Sequence, residues 1–225
     1  MPVAIITGAS RGLGQALAAG LADHGWDLVL DARGATELAE SAKSLPGSVR
    51  TVPGDITDAG HRAGLVAAAD ELGGATLLIN NAGALGPSPL PRLADIPLDA
   101  VRELFEVNVV ALLALTQLAL PGLRERSGTI INITSDAAAE AYEGWGGYGA
   151  SKAAVEQLSN VLAAEEPDVR VWWTDPGDLR TRMHQEAFPG EDISDRPLPD
   201  TVVPAVLKLL ADEPESGRYR LPELT

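Results

Sequence analysis

Residues 3–14 read Val-Ala-Ile-Ile-Thr-Gly-Ala-Ser-Arg-Gly-Leu-Gly, a short apolar run that leads into a glycine-rich turn and then a helical pattern. The apolar run predicts a strand over residues 3–6, and the helical pattern continues to His24. Gly8, Gly12 and Gly14 permit a tight turn in which the backbone can approach a pyrophosphate, whose charge the helix N-terminus would meet. The spacing is Gly-x-x-x-Gly-x-Gly, which differs from the Gly-x-Gly-x-x-Gly dinucleotide pattern. A glycine-rich turn alone is often only a turn, but its position between a strand and a helix favours nucleotide binding.

The same alternation of strand and helix continues along the chain. Short apolar runs alternate with longer helical patterns, which is typical of a parallel α/β sheet. Several runs are continuously apolar, as expected for strands that helices cover on both faces. The predicted strands span residues 3–6, 27–31, 49–52, 76–80, 129–133 and 169–173, with a short candidate at 218–221. The predicted helices span residues 12–24, 35–44, 59–72, 98–126, 148–165 and 200–211. Residues 182–199, rich in Pro, Asp and Glu, are predicted to form a mobile loop near the substrate.

Length and composition limit the class of protein. A chain of 225 residues is large enough for one domain with a substantial core. Because it contains no cysteine, a disulfide, a thiolate nucleophile and a Cys-ligated metal are excluded, and a reducing cytoplasm fits. The formal charge of −15 argues against nucleic acid and anionic membranes as partners, since both require clustered cations.

No segment of the sequence is predicted to enter a membrane. The first residues have no basic leader, and their apolar run is too short for a signal peptide. The longest apolar segment, residues 107–120, is interrupted by Asn108, Thr116 and Gln117 and is stopped at Pro121. It is too short and too polar to span a bilayer, and a buried helix is predicted instead.

Residues 132–152 carry the candidate chemistry. Ser135 follows the fifth predicted strand, and Tyr148 and Lys152 are four residues apart in a helical pattern, which places them on one face. The glycine-rich link between strand and helix would let Ser135 meet that face. A hydroxyl, a phenol and an ammonium could then converge on one substrate oxygen, which suits carbonyl–alcohol chemistry.

The expected role of the lysine is electrostatic. A free phenol has a pKa of about 10, and an ammonium within ~4–6 Å would lower that pKa toward the range of a general acid/base. Only three of the seventeen basic residues are lysine, so a lysine at position 152 is notable in an arginine-rich chain. A guanidinium would be a poorer proton relay because it does not deprotonate in proteins. The alternative is a surface tyrosine and a solvated lysine.

The end of the second strand indicates the cofactor. An acidic residue there would bind a ribose 2′-hydroxyl, whereas an arginine suits a 2′-phosphate. Arg33 can present a planar fork to phosphate oxygens, and Arg11 could approach from the glycine-rich turn. Alternation along the strand points Asp31 to the opposite face from Ala32. The sequence therefore favours NADP over NAD, with two exposed arginines as the alternative.

Polar and small residues follow two further strands. Asp55 follows the third strand, where it could accept a hydrogen bond from an adenine amino group, and residues 81–83 (Asn-Ala-Gly) could let the backbone lie against a ribose. Asn108 is a polar amide within an apolar helix, which is costly unless it is hydrogen-bonded. It is either a core asparagine bonded to a backbone group or a functional one that bends the helix and holds a water.

Taken in order, these segments closely resemble the short-chain dehydrogenase/reductase superfamily in its compact one-domain branch. The resemblance covers nearly the whole chain and is carried by Thr7-Gly8-x-x-x-Gly12-x-Gly14, Asp55, Asn81-Ala82-Gly83, Asn108, Ser135, Tyr148-x-x-x-Lys152, and Pro176-Gly177 followed by Thr181. It implies an α/β Rossmann fold: a doubly wound parallel sheet in three layers, α/β/α, with one NAD(P)-binding domain over residues 1–225.

The resemblance also implies roles for single residues. Tyr148 would donate or accept the proton, Lys152 would lower its pKa and bind the nicotinamide ribose, and Ser135 would orient the carbonyl. Asn108 would anchor a water that leads to Lys152, so the implied catalytic set contains Asn108, Ser135, Tyr148 and Lys152. Besides Tyr148 and Lys152, the expected cofactor contacts are Gly8, Ser10, Arg11, Gly12, Leu13, Gly14, Ala32, Arg33, Asp55, Ile56, Asn81, Ala82, Gly83, Pro176, Gly177, Leu179 and Thr181. Arginines at positions 11 and 33 usually accompany NADP in this family.

Other expectations concern assembly and substrate. Pairing of the helices at 98–126 and 148–165, as in the family, implies a homodimer or homotetramer, although residues 212–225 lack the glycine-rich ending of many members. No metal is expected. The expected substrate walls are Ser135, Tyr142, Trp145, Tyr148, Met183 and His184. Asp175 and Asp178 bracket the Pro176-Gly177 turn, and the sequence offers no account of them.

The leading hypothesis is a cytoplasmic NADP(H)-dependent carbonyl reductase or alcohol dehydrogenase. A small-molecule carbonyl or alcohol would be its substrate, with NAD as the less favoured cofactor. The alternative is a regulatory protein that senses NADP on the same fold, which would need the glycine-rich turn but not Ser135, Tyr148 and Lys152. A methyltransferase is disfavoured because Arg33 stands where a carboxylate would bind ribose hydroxyls.

Overall fold

Seven short parallel strands pair side by side in the computed structural model, which describes residues 1–224. The strands are β1 (Val3–Ile6), β2 (Asp27–Ala32), β3 (Val49–Pro53), β4 (Leu77–Asn80), β5 (Thr129–Ile133), β6 (Arg170–Asp175) and β7 (Gly217–Arg220). Their order in the sheet is β3-β2-β1-β4-β5-β6-β7, with β1 central between β2 and β4. Because the chain proceeds outward from β1 first on one side and then on the other, a crevice opens at the carboxyl ends of β1 and β4. The predicted doubly wound α/β Rossmann fold is confirmed, and Thr225 lies outside the described residues.

Eight α-helices accompany the sheet within the described residues. They are α1 (Gly12–Asp23), α2 (Ala35–Ala42), α3 (Ala59–Glu71), α4 (Leu98–Phe105), α5 (Ala111–Glu125), α6 (Gly146–Glu165), α7 (Arg182–Ala187) and α8 (Val203–Asp212). The six predicted strands and the candidate at 218–221 are all present, with ends that differ by at most two residues.

Two helix predictions and one loop prediction need correction. The helix predicted over 98–126 contains a wide π turn, Glu106–Val110, between α4 and α5. The helix predicted over 200–211 begins with a 3₁₀ turn, Pro199–Val202, before α8. The loop predicted over 182–199 is wrong in its first part, because Arg182–Ala187 forms α7, whose first turn Thr181 caps by accepting from the backbone N–H of His184 at 3.1 Å.

The central strands β1 and β4 are buried on both faces, and this explains their nearly continuous apolar sequences. Along β1, Ile6 packs into the layer that contains Leu17 and Leu21 of α1. Its neighbour Ile5 points the other way, into the layer that contains Leu115 of α5. The core therefore consists of two apolar layers of side chains, one on each face of the β-sheet. The carboxyl ends of the strands are left free to carry polar groups.

The helical stretch Leu98–Glu125 has 28 residues and is, by length and composition alone, long and apolar enough to cross a membrane. It is longer than the apolar segment 107–120, which the sequence analysis judged too short and too polar to span a bilayer. Its Leu115, Ala119 and Leu123 are buried in the core layer on one face of the sheet. The prediction of a buried core helix is confirmed for this face.

Candidate active site

A cleft of about 650 Å³ lies at the carboxyl edge of the sheet, where the crevice between β1 and β4 opens. Most of the residues expected to contact cofactor or substrate line it. Those residues are Gly8, Ser10, Arg11, Gly12, Leu13, Ala32, Arg33, Asp55, Ile56, Asn81, Ala82, Gly83, Ser135, Trp145, Tyr148, Lys152, Pro176, Gly177, Leu179, Thr181, Met183 and His184. Gly14, Asn108 and Tyr142 do not line it. The fold thus brings together motifs that are far apart in the sequence.

The glycine-rich turn forms the centre of the cleft floor and is fastened to the end of β4. Asn81 donates from Nδ2 to the carbonyl oxygen of Thr7 at 2.8 Å, and the Thr7 hydroxyl accepts from the backbone N–H groups of Asn81 and Ala82 at 3.0 and 2.9 Å. Gly8 has a φ of +67°, and a Cβ there would lie 3.0 Å from the Cα of Ala82, so only glycine fits. Asn81 and Ala82 therefore shape the turn as well as the cleft wall.

Helix α1 begins at Gly12, directly after this turn. Among the described residues, no side chain caps it at Arg11, so N–H groups of its first turn remain available to an anion. Gly14 stands inside the turn: a Cβ there would collide with the backbone of Gly8. Gly14 therefore serves close packing of the turn rather than ligand contact.

One end of the cleft carries both arginines and two carboxylates. Arg33 follows β2 and Arg11 precedes α1. The Asp55 carboxylate accepts from the backbone N–H and the hydroxyl of Thr57 at 2.9 and 2.8 Å, and these bonds lower the pKa of Asp55. Asp31 points away from Ala32, as the strand alternation predicts, and its carboxylate is held by His61 of α3 at 2.6 Å.

The other end of the cleft brings Ser135, Tyr148 and Lys152 together. Lys152 donates from Nζ to the carbonyl oxygen of Ile133 at 2.7 Å, and Nζ lies 5.6 Å from the centroid of the Tyr148 ring. The Tyr148 ring packs edge-on against Trp145, with centroids 5.6 Å apart. The Ser135 hydroxyl donates to the Asp136 carboxylate at 2.9 Å. The surface alternative for this tyrosine and lysine is wrong, because both side chains are buried.

The pKa values at this end differ from the expectation. Burial raises the pKa of Tyr148, and the carboxylates of Asp136 and Asp175 add to the rise. The lowering expected from Lys152 is therefore not found. Burial lowers the pKa of Lys152 itself to about 8. The site keeps the phenol protonated and holds an ammonium that loses its proton more readily than an exposed lysine does.

Asn108 lies in the π turn, where it is buried and does not line the cleft. Its Oδ1 accepts from the backbone N–H of Ala84 at 2.7 Å, and its Nδ2 donates to the Ala84 carbonyl at 2.9 Å and to the Ser151 hydroxyl at 2.9 Å. These hydrogen bonds to the backbone of Ala84 are those expected of a core asparagine. The π turn also interrupts the helix at Asn108, as expected of a functional asparagine that bends the helix.

The segment after β6 forms the far wall. Asp175 accepts from the backbone N–H of Gly177 at 2.9 Å and lies 3.5 Å from the guanidinium groups of Arg218 and Arg220. These contacts give Asp175 a structural role that could not be predicted from the sequence. Asp178 is more exposed and lies 3.9 Å from the ring of His184.

All but one of the expected substrate walls line the cleft. Met183 and His184 lie on α7 and line the cleft with Trp145. Tyr142 is exposed, and its hydroxyl lies within hydrogen-bond distance of the Glu140 carboxylate at 2.8 Å instead. Residues 1–224 contain no group of three or more His, Asp or Glu side chains placed to hold a metal ion.

Sequence reasoning missed two residues that hold the site from behind. His61 pairs with Asp31, and Arg218 donates to the carbonyl oxygen of Ser135 at 3.3 Å. The buried position of Asp31 on a central strand signals that some partner is needed, but no local pattern identifies His61. Asp136, whose carboxylate binds Ser135 and raises the pKa of Tyr148, was also missed although it directly follows Ser135.

The sheet order, the glycine-rich turn, and Ser135 beside the buried Tyr148 and Lys152 define a nucleotide-dependent oxidoreductase on a Rossmann fold. Comparison with known proteins agrees, since a family model described as short chain dehydrogenase matches residues 2–192. The chain belongs to the short-chain dehydrogenase family.

Particular relatives support this assignment. The chain is 40% identical over 205 residues to sepiapterin reductase of Rattus norvegicus, covering 82% of this chain and 77% of the relative. It is 35% identical over 183 residues to serine 3-dehydrogenase of Rhizobium radiobacter, covering 80% of this chain and 72% of the relative. An alcohol dehydrogenase from the archaeon Thermococcus sibiricus, complexed with 5-hydroxy-NADP, superposes with a TM-score of 0.86 at 29% identity, covering 98% of this chain and 95% of that chain.

The residues present fit the NAD(P) cofactor of the family. Gly8 and Gly12 both adopt positive φ, and a Cβ at Gly12 would project toward Thr181 at 3.5 Å, into the cleft. The uncapped start of α1 offers backbone donors to a pyrophosphate, and Arg11 and Arg33 offer cations. The same cleft is lined by these groups and by Tyr148 and Lys152.

Proposed function

We propose that this protein is an NADP(H)-dependent oxidoreductase that interconverts a ketone or aldehyde with the corresponding alcohol. The observation that carries the proposal is the convergence of Ser135, Tyr148 and Lys152 in the same cleft as the glycine-rich turn. A bound nicotinamide would supply or accept the hydride, and the residues of the chain would handle the oxygen and its proton.

Tyr148 is the general acid/base in this proposal. Because burial and the charges of Asp136 and Asp175 raise its pKa, the phenol stays protonated near neutral pH and is ready to donate to a carbonyl oxygen. The reverse reaction requires the phenol to lose its proton. Lys152, buried 5.6 Å from the centre of the ring and with a pKa of about 8, would stand beside the phenolate that forms.

Ser135 and Lys152 position the reacting groups. The Ser135 hydroxyl, now donating to Asp136, can turn to donate to a substrate oxygen that enters the cleft. The carbonyl of Ile133 fixes Lys152 beside the place where the nicotinamide ribose would lie. Asn108, bonded to Ala84 and Ser151, would fix the adjoining segments and anchor a water that leads toward Lys152.

The NADP preference rests on the arginines. Arg33 and Arg11 line the end of the cleft that the Rossmann fold assigns to adenosine, where a 2′-phosphate would be bound. The Thermococcus sibiricus alcohol dehydrogenase named above, which is complexed with a hydroxylated NADP, has the same fold. NAD is the less favoured cofactor.

Two further features of the proposal concern substrate and assembly. The substrate would lie against Trp145, Met183 and His184, beneath α7. Exposed apolar side chains on α5 and α6, such as Leu118 and Val161, would pair with copies of this chain in a homodimer or homotetramer in the cytoplasm.

The test is a panel of ketones and aldehydes screened for NADPH consumption by the purified protein, with Tyr148→Phe as the inactive control. Consumption with at least one carbonyl, absent from the control, is the expected result. Tight NADPH binding with no turnover on any member of a broad panel would instead favour the NADP-binding regulatory protein.

A further inference from the structure

A buried carboxylate–imidazole pair lies at the adenosine end of the cleft. His61 Nε2 and Asp31 Oδ1 are 2.6 Å apart, and their side chains are only 8% and 3% exposed. Asp31 lines the cleft together with Arg33 and Asp55. A carboxylate near the end of β2 is the group that would accept hydrogen bonds from ribose hydroxyls. Whether Asp31 is free or already bonded within the protein therefore affects which cofactor binds.

Three separate elements hold this pair in place. Asp31 is the last residue but one of β2, and its second oxygen accepts from the backbone N–H of Gly8 in the glycine-rich turn at 3.3 Å. His61 lies in the first turn of α3, where its own N–H donates to the Asp58 side chain at 2.7 Å. The imidazole occupies the space above Gly54: a Cβ there would lie 2.7 Å from its Cε1 atom. A residue with a side chain at position 54 would expel the ring.

Both oxygens of Asp31 are thus bonded within the protein. One faces His61 and the other faces Gly8, so neither is directed to a ribose. Burial raises the pKa of Asp31, while the imidazole and the N–H of Gly8 oppose that rise. The carboxylate is stable in this position because His61 supplies a donor and, when protonated, a balancing charge.

Three further charged side chains, Arg33, Asp55 and Asp58, lie around the Asp31–His61 pair. Asp55 lies close enough to raise the pKa of Asp31, and both Arg33 and His61 lower the pKa of Asp55. Asp58 caps α3 beside them. Without His61, the carboxylates of Asp31 and Asp55 would face Arg33 and any incoming phosphate together.

We propose that His61 determines cofactor specificity by holding Asp31 away from the ribose and balancing its charge, so that a 2′-phosphate is accepted beside Arg33. This inference rests on the NADP preference proposed above. His61 acts through Asp31 and is a positioning residue, not one that contacts the reacting atoms.

The test measures direct binding of NADPH and NADH by fluorescence titration of the purified full chain. In His61→Leu, the Kd for NADPH should rise at least about tenfold, while the Kd for NADH should change by less than about threefold, since one unbalanced charge acts mainly on the phosphate. Removing that charge as well, in Asp31→Asn with His61→Leu, should return the Kd for NADPH to within about threefold of wild type. His24→Leu is the matched control, because His24 is exposed and does not line the cleft.

Each other result has a definite meaning. Equal weakening of both cofactors in His61→Leu, with no recovery in the double variant, would reduce His61 to a structural role and overturn the inference. If His61→Leu does not fold, His61→Met, whose longer apolar side chain also offers Asp31 no donor, carries the same comparison. A wild-type chain that binds NADH as tightly as NADPH would contradict the proposed cofactor and the inference together. A wild-type preference for NADPH that survives in the His61 variants would contradict the inference alone.

Discussion

Lys152 Nζ donates to the carbonyl oxygen of Ile133 at 2.7 Å and so joins the first half of α6 to the last residue of β5. The bond fixes the ammonium in a buried position below the ring of Tyr148. A single hydrogen bond to a neutral carbonyl does not replace the hydration of an ammonium. Burial accordingly lowers the pKa of Lys152 to about 8, and this has consequences for stability.

The stability of the fold should depend on pH through Lys152. Between its pKa of about 8 in the fold and its ordinary value of 10.5, the unfolded chain binds more protons at this residue than the folded chain. The free energy of unfolding should therefore rise as pH increases from about 8 toward 10, and Lys152 should destabilise the fold most below pH 8. Tyr148, whose pKa is raised, has the opposite effect, but only above its ordinary pKa of 10.

The measurement is urea unfolding of the wild type and of Lys152→Met at several pH values between 7 and 10, a range set by the pKa of about 8. Lys152→Met should lose the rise. Lys43→Met is the control, because Lys43 is an exposed lysine on the surface and should leave the pH dependence intact. A wild-type profile that is flat or falls across this interval would contradict the buried ammonium.

Tyr148→Phe should separate chemistry from binding. The variant keeps the packing of the ring against Trp145 and removes only the hydroxyl. Turnover should fall by the ~10²–10⁴ that loss of a general acid/base costs, while the Kd for NADPH stays close to that of the wild type. Phe188→Leu, which alters an aromatic ring that also packs on Trp145, serves as the control for packing. Near-normal turnover in Tyr148→Phe would remove this residue from the proton-transfer step.

Local pattern was enough to predict the groups that share a helix or end a strand. Tyr148 and Lys152 are one helical turn apart, so helical periodicity placed them on one face, and the glycine-rich link allowed Ser135, which follows a strand, to approach it. Similar reasoning predicted the strands, several of which are apolar without a break because helices cover both of their faces. These are consequences of short-range geometry.

Contacts between distant segments could not be predicted in this way. Asp31 and His61 are 30 residues apart, and Ser135 and Arg218 are 83 apart. The first pair meets because β2 lies beside the start of α3. The second pair meets because β7, the edge strand, is separated from β5 only by β6. The rise in the pKa of Tyr148 depends on the same packing, since Asp175 comes from β6.

Cofactor preference should reverse when the end of β2 is changed. Ala32→Asp with Arg33→Ala places a carboxylate where ribose hydroxyls would lie and removes a phosphate-binding fork. The ratio of kcat/KM for NADP to that for NAD should fall by about 10- to 100-fold, the range of one or two charge-assisted hydrogen bonds. Arg50→Ala is the control, because Arg50 is exposed on β3 and does not line the cleft. An unchanged ratio would mean that the phosphate site lies elsewhere.

A network of charged side chains supports Ser135 from behind. Arg218 of β7 donates to the Glu156 carboxylate of α6 at 2.9 Å and to the carbonyl oxygen of Ser135 at 3.3 Å. Glu156 also accepts from the Thr134 hydroxyl at 2.8 Å. Asp175, whose side chain is only 2% exposed, lies 3.5 Å from Arg218. The guanidinium therefore joins β5, β6 and α6 at the point where the serine leaves the sheet.

Arg218→Leu should weaken both the fold and the placement of Ser135. Loss of its charged contacts should lower the free energy of unfolding by on the order of 2 kcal/mol. The loss should be smaller than for a buried carboxylate left with no cation, because Arg220 still lies 3.5 Å from Asp175. Since the backbone of Ser135 loses a donor, kcat should fall while the Kd for NADPH holds. The comparison is Arg220→Leu, which removes a more exposed partner of the same carboxylate, 49% exposed, and should cost less in both quantities. If urea unfolding and steady-state kinetics give the two variants the same values, Arg218 has no special part in holding the serine.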